Sequence, residues 1–339
     1  MVAESAISPK FDKLLVNLAR PCHHGLMASR RARTWQVLVV AVLAALLAGC
    51  LGGGHAVGSP DHPTIPVGQS SRTIQWAGSS RTFHLYRPAG LTEAAPLVVM
   101  LHGGFGNGAQ AERSYHWDST ADRGHFLVAY PDGQGRAWNA GSCCGGPAQS
   151  NLDDVGFLTA MVGAIAQQTA VDMSRVYATG MSNGAMMSLR LACETDTFAA
   201  IAPVAGTTVA DCSRARPTSV LQIHGTADAS VPYNGGPGKS LKFDGNPRVD
   251  GPAIPAVTAA WRAIDGCPAP TSTTGGVVTT ETADCPGGRT VRLISVADAG
   301  HQWPGGVRGP LLDRLGLPQP STALDATDTI WEFFAQHHR

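Results

Sequence analysis

The stretch Val176-Tyr-Ala-Thr-Gly-Met-Ser182-Asn-Gly-Ala-Met-Met-Ser-Leu-Arg-Leu-Ala192 decides the fold. Val176 to Thr179 is a short β-rich run, and Gly180-Met181-Ser182-Asn183-Gly184 follows it. A helix-compatible segment begins at once. Strand, then G-x-S-x-G, then helix is the pattern of a nucleophile elbow, in which a strained turn lifts a serine hydroxyl out of the sheet edge. Gly180 and Gly184 remove the β-carbons that would clash where strand and helix crowd together. The amide of Asn183 then lies beside the hydroxyl. A plain βα turn bounded by glycines would read similarly, so the rest of the chain has to supply an acid, a histidine and a second oxyanion donor.

The acid and the histidine follow in order. Ser219 to Ile223 reads as a strand and runs into His224-Gly225-Thr226-Ala227-Asp228. Arg289 to Val296 reads as the last strand and runs into Asp298-Ala299-Gly300-His301-Gln302-Trp303. Ser182 as nucleophile, Asp228 as orienting acid and His301 as general base and acid stand in the order expected of an α/β-hydrolase. Each lies just past a predicted strand, the edge where ligands gather in open α/β sheets. Upstream, Pro96 to Leu101 is apolar enough to be a buried central strand, and His102-Gly103-Gly104-Phe105-Gly106-Asn107-Gly108 follows it. Such a loop brings backbone amides close to a ligand, so Gly104 or Phe105 joins Asn183 as oxyanion donor. A turn carboxylate at Asp228 and a loop histidine at His301 are the plain alternatives. His102 and His224 read as structural histidines that bond backbone.

Further strands are predicted at Arg72 to Trp76 and Arg81 to Arg87, joined by a Gly78-Ser79-Ser80 turn, and at His125 to Tyr130 and Phe198 to Val204. Helices are predicted over Ser114 to Arg123, Asn151 to Gln168, Ile254 to Ile264 and Leu324 to His338. Asp153 and Asp154 fall in the first turn of one of them, where carboxylates favour the helix N-terminus. Val171 to Arg175 reads as a linker, and Cys267 to Cys285 as threonine- and glycine-rich turns. This alternation gives an α/β fold with a mostly parallel central sheet and helices on both faces. Trp138, in an irregular stretch with Cys143-Cys144, and Trp303 are candidates to stack on substrate; loop packing is the equal alternative.

The 339 residues carry 25 basic and 25 acidic side chains, with no basic stripe that would fit nucleic acid. The first 49 residues are a separate leader. Ser29-Arg-Arg-Ala-Arg33 is basic, Val37 to Leu47 is apolar, and Leu47-Ala48-Gly49-Cys50 closes it. The apolar run is shorter than the roughly 20 residues of a spanning helix. It looks like a bacterial lipoprotein signal, with Cys50 lipidated and the protein held outside the cytoplasm. Met27 would give that signal a start of ordinary proportions. Residues 50–71 read as a flexible tether, and 72–339 as one catalytic domain. The leader takes six basic and two acidic residues, so 19 and 23 remain beyond it, a slight negative excess. Six cysteines follow Cys50, namely Cys143, Cys144, Cys193, Cys212, Cys267 and Cys285, an even count that fits disulfides in an exported chain. Cys267 with Cys285 is the best local pairing; Cys193 with Cys212 is a further candidate.

Six stretches together resemble a known group. They are His102-Gly103-Gly104, Trp138-Asn139 with Cys143-Cys144, Asp153-Asp154-Val155-Gly156-Phe157, Gly180-Met181-Ser182-Asn183-Gly184, His224-Gly225-Thr226-Ala227-Asp228 and Gly300-His301-Gln302-Trp303-Pro304-Gly305. Over residues 72–339 the chain is similar to secreted esterases grouped with polyhydroxybutyrate depolymerases, feruloyl esterases and acetylxylan esterases (the carbohydrate esterase family 1 type), in a bacterial lipoprotein branch. The resemblance implies an α/β-hydrolase without a large lid domain and the triad Ser182, Asp228 and His301. It implies a serine esterase that cleaves short acyl, hydroxycinnamoyl or hydroxyalkanoate-oligomer esters through an acyl-enzyme. A secreted serine peptidase of the same fold and a non-catalytic surface-binding lipoprotein are the competing functions. The expected partner is a small or oligomeric ester, with a membrane met through the lipid alone. A monomer is expected, without cofactor or metal.

Overall fold

The computed structural model describes residues 65–239, 242–243, 246–247, 249–307 and 319–339. The leader, the lipidation candidate Cys50 and most of the expected tether lie outside the described residues. Ile65, the first described residue, is buried, and the first strand begins at Gly68, so the expected boundary at 71/72 cuts through that strand.

In chain order the strands are β1 (Gly68–Trp76), β2 (Ser79–Arg87), β3 (Ala95–Leu101), β4 (Leu127–Pro131), β5 (Val171–Met181), β6 (Ala200–Val204) and β7 (Ser219–Gly225). Four two-residue strands follow, β8 (Gly236–Pro237), β9 (Lys242–Phe243), β10 (Asn246–Pro247) and β11 (Asp250–Gly251), and then β12 (Thr271–Gly275), β13 (Val278–Cys285) and β14 (Arg289–Val296). Ten of them form one sheet in the order β1-β2-β4-β3-β5-β6-β7-β14-β13-β12. The six central strands from β4 to β14 run parallel, while β1 and β2 at one edge and β13 and β12 at the other run antiparallel.

Seven helices among the described residues matter here: α1 (Gly108–Ser114), α2 (Trp117–Gly124), α3 (Gly145–Gln149), α4 (Asp154–Ala166), α5 (Asn183–Glu194), α6 (Ile254–Asp265) and α7 (Ala326–Phe334). β3 shows why helices must cover both faces. All seven of its residues are buried, and its side chains alternate between two cores. Leu97, Val99 and Leu101 join Phe157, Met161, Met187 and Trp261 of α4, α5 and α6. Val98 and Met100 join Trp117, Ala121, Ile330 and Phe333 of α2 and α7. A strand that is apolar at every position can satisfy neither face with water, so both are packed. This is an α/β-hydrolase architecture with no large lid insertion. Among the described residues no helix is long and apolar enough to cross a membrane.

Four local expectations change. Residues 171–175 are the start of β5, not a linker, and Val171 there pairs with Ala95 of β3 in the middle of the sheet. The helix expected over 114–123 starts only at Trp117, after His116 at a left-handed φ of 58°, and a separate helix, α1, precedes it and ends at Ser114. The 267–285 segment is largely the β12–β13 hairpin, since its many threonines favour an extended, pleated edge. The first hairpin turns on Ala77 and Gly78, both at positive φ, so Ser79 and Ser80 already belong to β2. Cys193–Cys212 and Cys267–Cys285 are disulfides, and Cys143 is bonded to Cys144.

Candidate active site

The turn after β5 is built as the sequence requires. Ser182 sits at φ 57° and ψ −118°, a strained pair of angles for a residue with a side chain, and its amide donates to the Val204 carbonyl at 2.9 Å. A β-carbon on Gly180 would stand 2.6 Å from the Gly184 carbonyl carbon, and one on Gly184 would stand 2.6 Å from the His102 carbonyl oxygen. No other residue fits at either place.

Three side chains converge at the strand ends. His301 Nε2 lies 2.8 Å from Ser182 Oγ, and His301 Nδ1 lies 2.8 Å from Asp228 Oδ2. A carboxylate only accepts, so Nδ1 carries the imidazole proton and Nε2 accepts from the serine hydroxyl. Asp228 Oδ1 accepts the amides of Ser230 and Val231, each at 2.8 Å. Burial alone would push the Asp228 carboxyl up. The neighbouring His301 and hydrogen bonds from His224 and His301 outweigh it and hold the group well below the usual carboxylate range. Asp228 therefore stays ionised, which suits it to orient an imidazole and to balance its charge.

The two other histidines bond backbone, as expected. His224 Nε2–H donates to the Val231 carbonyl at 2.9 Å and lies 3.4 Å from Asp228 Oδ2. His102 Nε2 accepts the Gly133 amide at 2.9 Å, which leaves Nδ1–H to donate to the Gly103 carbonyl at 2.7 Å. Burial lowers the pKa of His102, so the ring is neutral and this tautomer persists.

The oxyanion candidates separate. Asn183 is the first residue of α5, where an amide has no intrahelical acceptor. The Gly104 amide makes no hydrogen bond among the described residues, and a β-carbon on Gly104 would meet nothing within 4 Å. Gly103 beside it comes so close to the elbow that its β-carbon would stand 3.6 Å from that of Ser182. The Phe105 amide, by contrast, donates to the Arg136 carbonyl at 2.8 Å and is withdrawn from this role.

Neither tryptophan offers its ring for stacking on a ligand. Trp138 is fully buried, with its indole N–H on the His102 carbonyl at 2.9 Å. Trp303 is 2% exposed, donates to Thr327 Oγ1 at 3.1 Å and stacks on Tyr115 at 4.5 Å between ring centres. Loop packing uses both rings. Sequence reasoning missed the side chain of Asn183, which holds the Trp138 peptide by two bonds, and the buried pair of Arg81 with Asp154 at 2.7 Å. The signal available for the second was an arginine in a strand that otherwise alternates cleanly. A concavity of about 530 Å³, lined in part by Arg87, Leu91 and Glu93, lies where β3 and β5 begin. That is the opposite end of the sheet from the triad.

Residues 81–231 match the family described as Esterase PHB depolymerase. A putative esterase NocK from Nocardia uniformis subsp. tsuyamanensis is 32% identical over 271 residues, 72% of this chain and 76% of that protein. Feruloyl esterase B from Piromyces equi is 33% identical over 233 residues, which span 63% of this chain and only 41% of that enzyme. Among solved structures, acetyl xylan esterase from Aspergillus awamori aligns over 79% of this chain and 99% of its own at a TM-score of 0.50 and 17% identity. A dienelactone hydrolase-like promiscuous phosphotriesterase from metagenomic libraries, P91, aligns over 80% of this chain and all of its own at 0.51 and 17% identity. At such identities the structural likeness speaks for the fold alone.

Proposed function

The chain belongs to the family of PHB-depolymerase-type and feruloyl-esterase-like esterases and is a carboxylic-ester hydrolase; from that membership we propose that it is a serine esterase working through an acyl-enzyme. The observation that carries this reading is the line of two 2.8 Å contacts from Asp228 through His301 to Ser182. Ser182 Oγ attacks the ester carbonyl carbon while its proton passes to His301 Nε2. Asp228 stabilises the imidazolium. The Gly104 and Asn183 amides receive the charge that grows on the carbonyl oxygen. The carbon–oxygen bond to the alcohol then breaks, and His301 returns the proton to the departing oxygen. A water molecule repeats the sequence on the acyl-serine, so that the acid leaves and Ser182 is restored.

The substrates that fit are short acyl, hydroxycinnamoyl and hydroxyalkanoate-oligomer esters. Relatives described as feruloyl esterase and as acetylxylan esterase/xylanase support the first two classes. A panel applied to the purified enzyme tests this: p-nitrophenyl acetate and butyrate, methyl ferulate, acetylated xylan, hydroxybutyrate oligomers and a peptide amide. Turnover is expected with one or more of the esters and not with the peptide. Cleavage of the peptide alone would replace the esterase reading by the peptidase one.

The basic and apolar runs before Cys50 support an enzyme held outside the cytoplasm by lipid on that cysteine. Labelled palmitate is expected to enter the full chain in a bacterial host and to be lost in Cys50→Ser. Equal labelling of that variant would overturn the anchor.

A further inference from the structure

Trp138 joins the two backbone segments that carry the oxyanion donors. On one side its indole N–H bonds the carbonyl of His102, and its ring packs on the His102 imidazole with centres 4.9 Å apart. His102 opens the loop that holds Gly103 and Gly104. On the other side the Trp138 peptide is gripped by Asn183. The Trp138 N–H donates to Asn183 Oδ1 at 2.6 Å, and the Trp138 carbonyl accepts from Asn183 Nδ2 at 3.0 Å. Asn183 is also the residue whose own amide forms the second donor.

The brace is itself held. The Cys144 amide donates to the same Trp138 carbonyl at 3.1 Å. The next residue, Asn139, gives its amide to Asp154 at 2.8 Å and takes a bond from Arg190 on its carbonyl at 2.7 Å. Glycines at 103, 104 and 106 give the first donor loop few side chains to hold it, so its place is set by bonds such as Gly106 N–H to the Gly103 carbonyl at 3.0 Å and by the residues beneath it. An oxyanion hole needs both donors about 2.7–3.1 Å from the developing charge. A buried tryptophan, bonded to one segment through its indole N–H and to the other through its peptide, supplies the spacing between them.

We propose that Trp138 is a positioning residue that sets the separation of the Gly104 and Asn183 amides and so tunes stabilisation of the tetrahedral intermediate. This rests on the serine-esterase reading. Trp138→Phe keeps an aromatic ring and the peptide and removes the indole N–H. Its kcat on a p-nitrophenyl acyl ester is expected to fall about 10- to 100-fold, the scale of a misplacement near 1 Å. KM is expected to stay as in the wild type. The inhibition constant of a trifluoromethyl ketone, which forms an oxyanion adduct, is expected to rise by the same factor as kcat falls. The acid limb of the pH–rate profile is expected to stay in place, because Asp228 and His301 are untouched. Asn183→Ala cuts the other arm and decides the matter if Trp138→Phe does not fold. Unchanged kcat and inhibitor affinity in the folded variant would overturn the brace, as would a loss carried by KM alone. Ser182→Ala runs alongside: full turnover there would remove the esterase reading itself, whereas an inactive Ser182→Ala beside an unaffected Trp138→Phe removes only the brace.

Discussion

Ser182→Ala is expected to lower kcat on a p-nitrophenyl acyl ester by about 10⁶-fold, the scale seen when a serine nucleophile is removed from a hydrolase triad. Without Oγ there is no atom to hold the acyl group, and His301 Nε2 faces an empty position. What survives is substrate binding and whatever the two amides lend to direct attack by water. His301→Ala should lose a comparable factor, because the hydroxyl then has no base at 2.8 Å. The double variant should be hardly worse than either single one. Groups that act as one unit are non-additive, and the second deletion removes nothing that still works. The side chain of Ser182 bonds only His301 among the described residues, so the melting temperature of Ser182→Ala should stay near that of the parent. Single-variant losses that multiply in the double variant would show that Ser182 and His301 do not act together. Turnover at the parent rate in Ser182→Ala would remove the nucleophile assignment.

The features behind that expectation were legible because each is local. The elbow is a five-residue pattern, and Asp228 and His301 each follow a strand whose apolar run is visible alone. The sheet was legible for the same reason at its centre, where β3 is apolar at every position. What escaped was decided by residues far apart in the chain. Nothing local distinguishes a tryptophan that waits for a ligand from one that closes a core, and Trp138 is buried by His102 and Asn183. The Phe105 amide looked free for an oxyanion until Arg136, some thirty residues later, brought its carbonyl to it. The first half of β5, Val-Asp-Met-Ser-Arg, shows no apolar run in sequence, and the contact that ties it to the sheet is Val171 on Ala95, far back in the chain. Asp154 reads as a helix-start carboxylate, a role that Asp153 takes by accepting the Gly156 amide at 2.8 Å. Asp154 itself turns inward.

That inward turn predicts the largest loss of stability outside the active site. Arg81 is 2% exposed and Asp154 is fully buried. Arg81 Nη2 reaches Asp154 Oδ1 at 2.7 Å, and its guanidinium lies 3.8 Å above the centre of the Phe157 ring. Burial pushes the Asp154 carboxyl above its ordinary value, although the Asn139 amide and Arg81 both pull it down. Removing one partner strands the other charge away from water. Arg81→Met and Asp154→Leu are each expected to destabilise the fold by about 3–5 kcal/mol, read as a lower midpoint in urea. The double variant Arg81→Met/Asp154→Leu should recover much of this, since an apolar pair avoids the desolvation of two ions. Recovery should stop about 1–3 kcal/mol short, because the Asn139 amide loses its acceptor inside the protein. Activity should not recover in step. Asn139 adjoins Trp138, and without Asp154 the segment that Asn183 grips is held less firmly. A double variant as unstable as the single ones would show that the pair is not mutually compensating. One with both stability and kcat restored would show that Asp154 stabilises the fold without steadying the oxyanion segment.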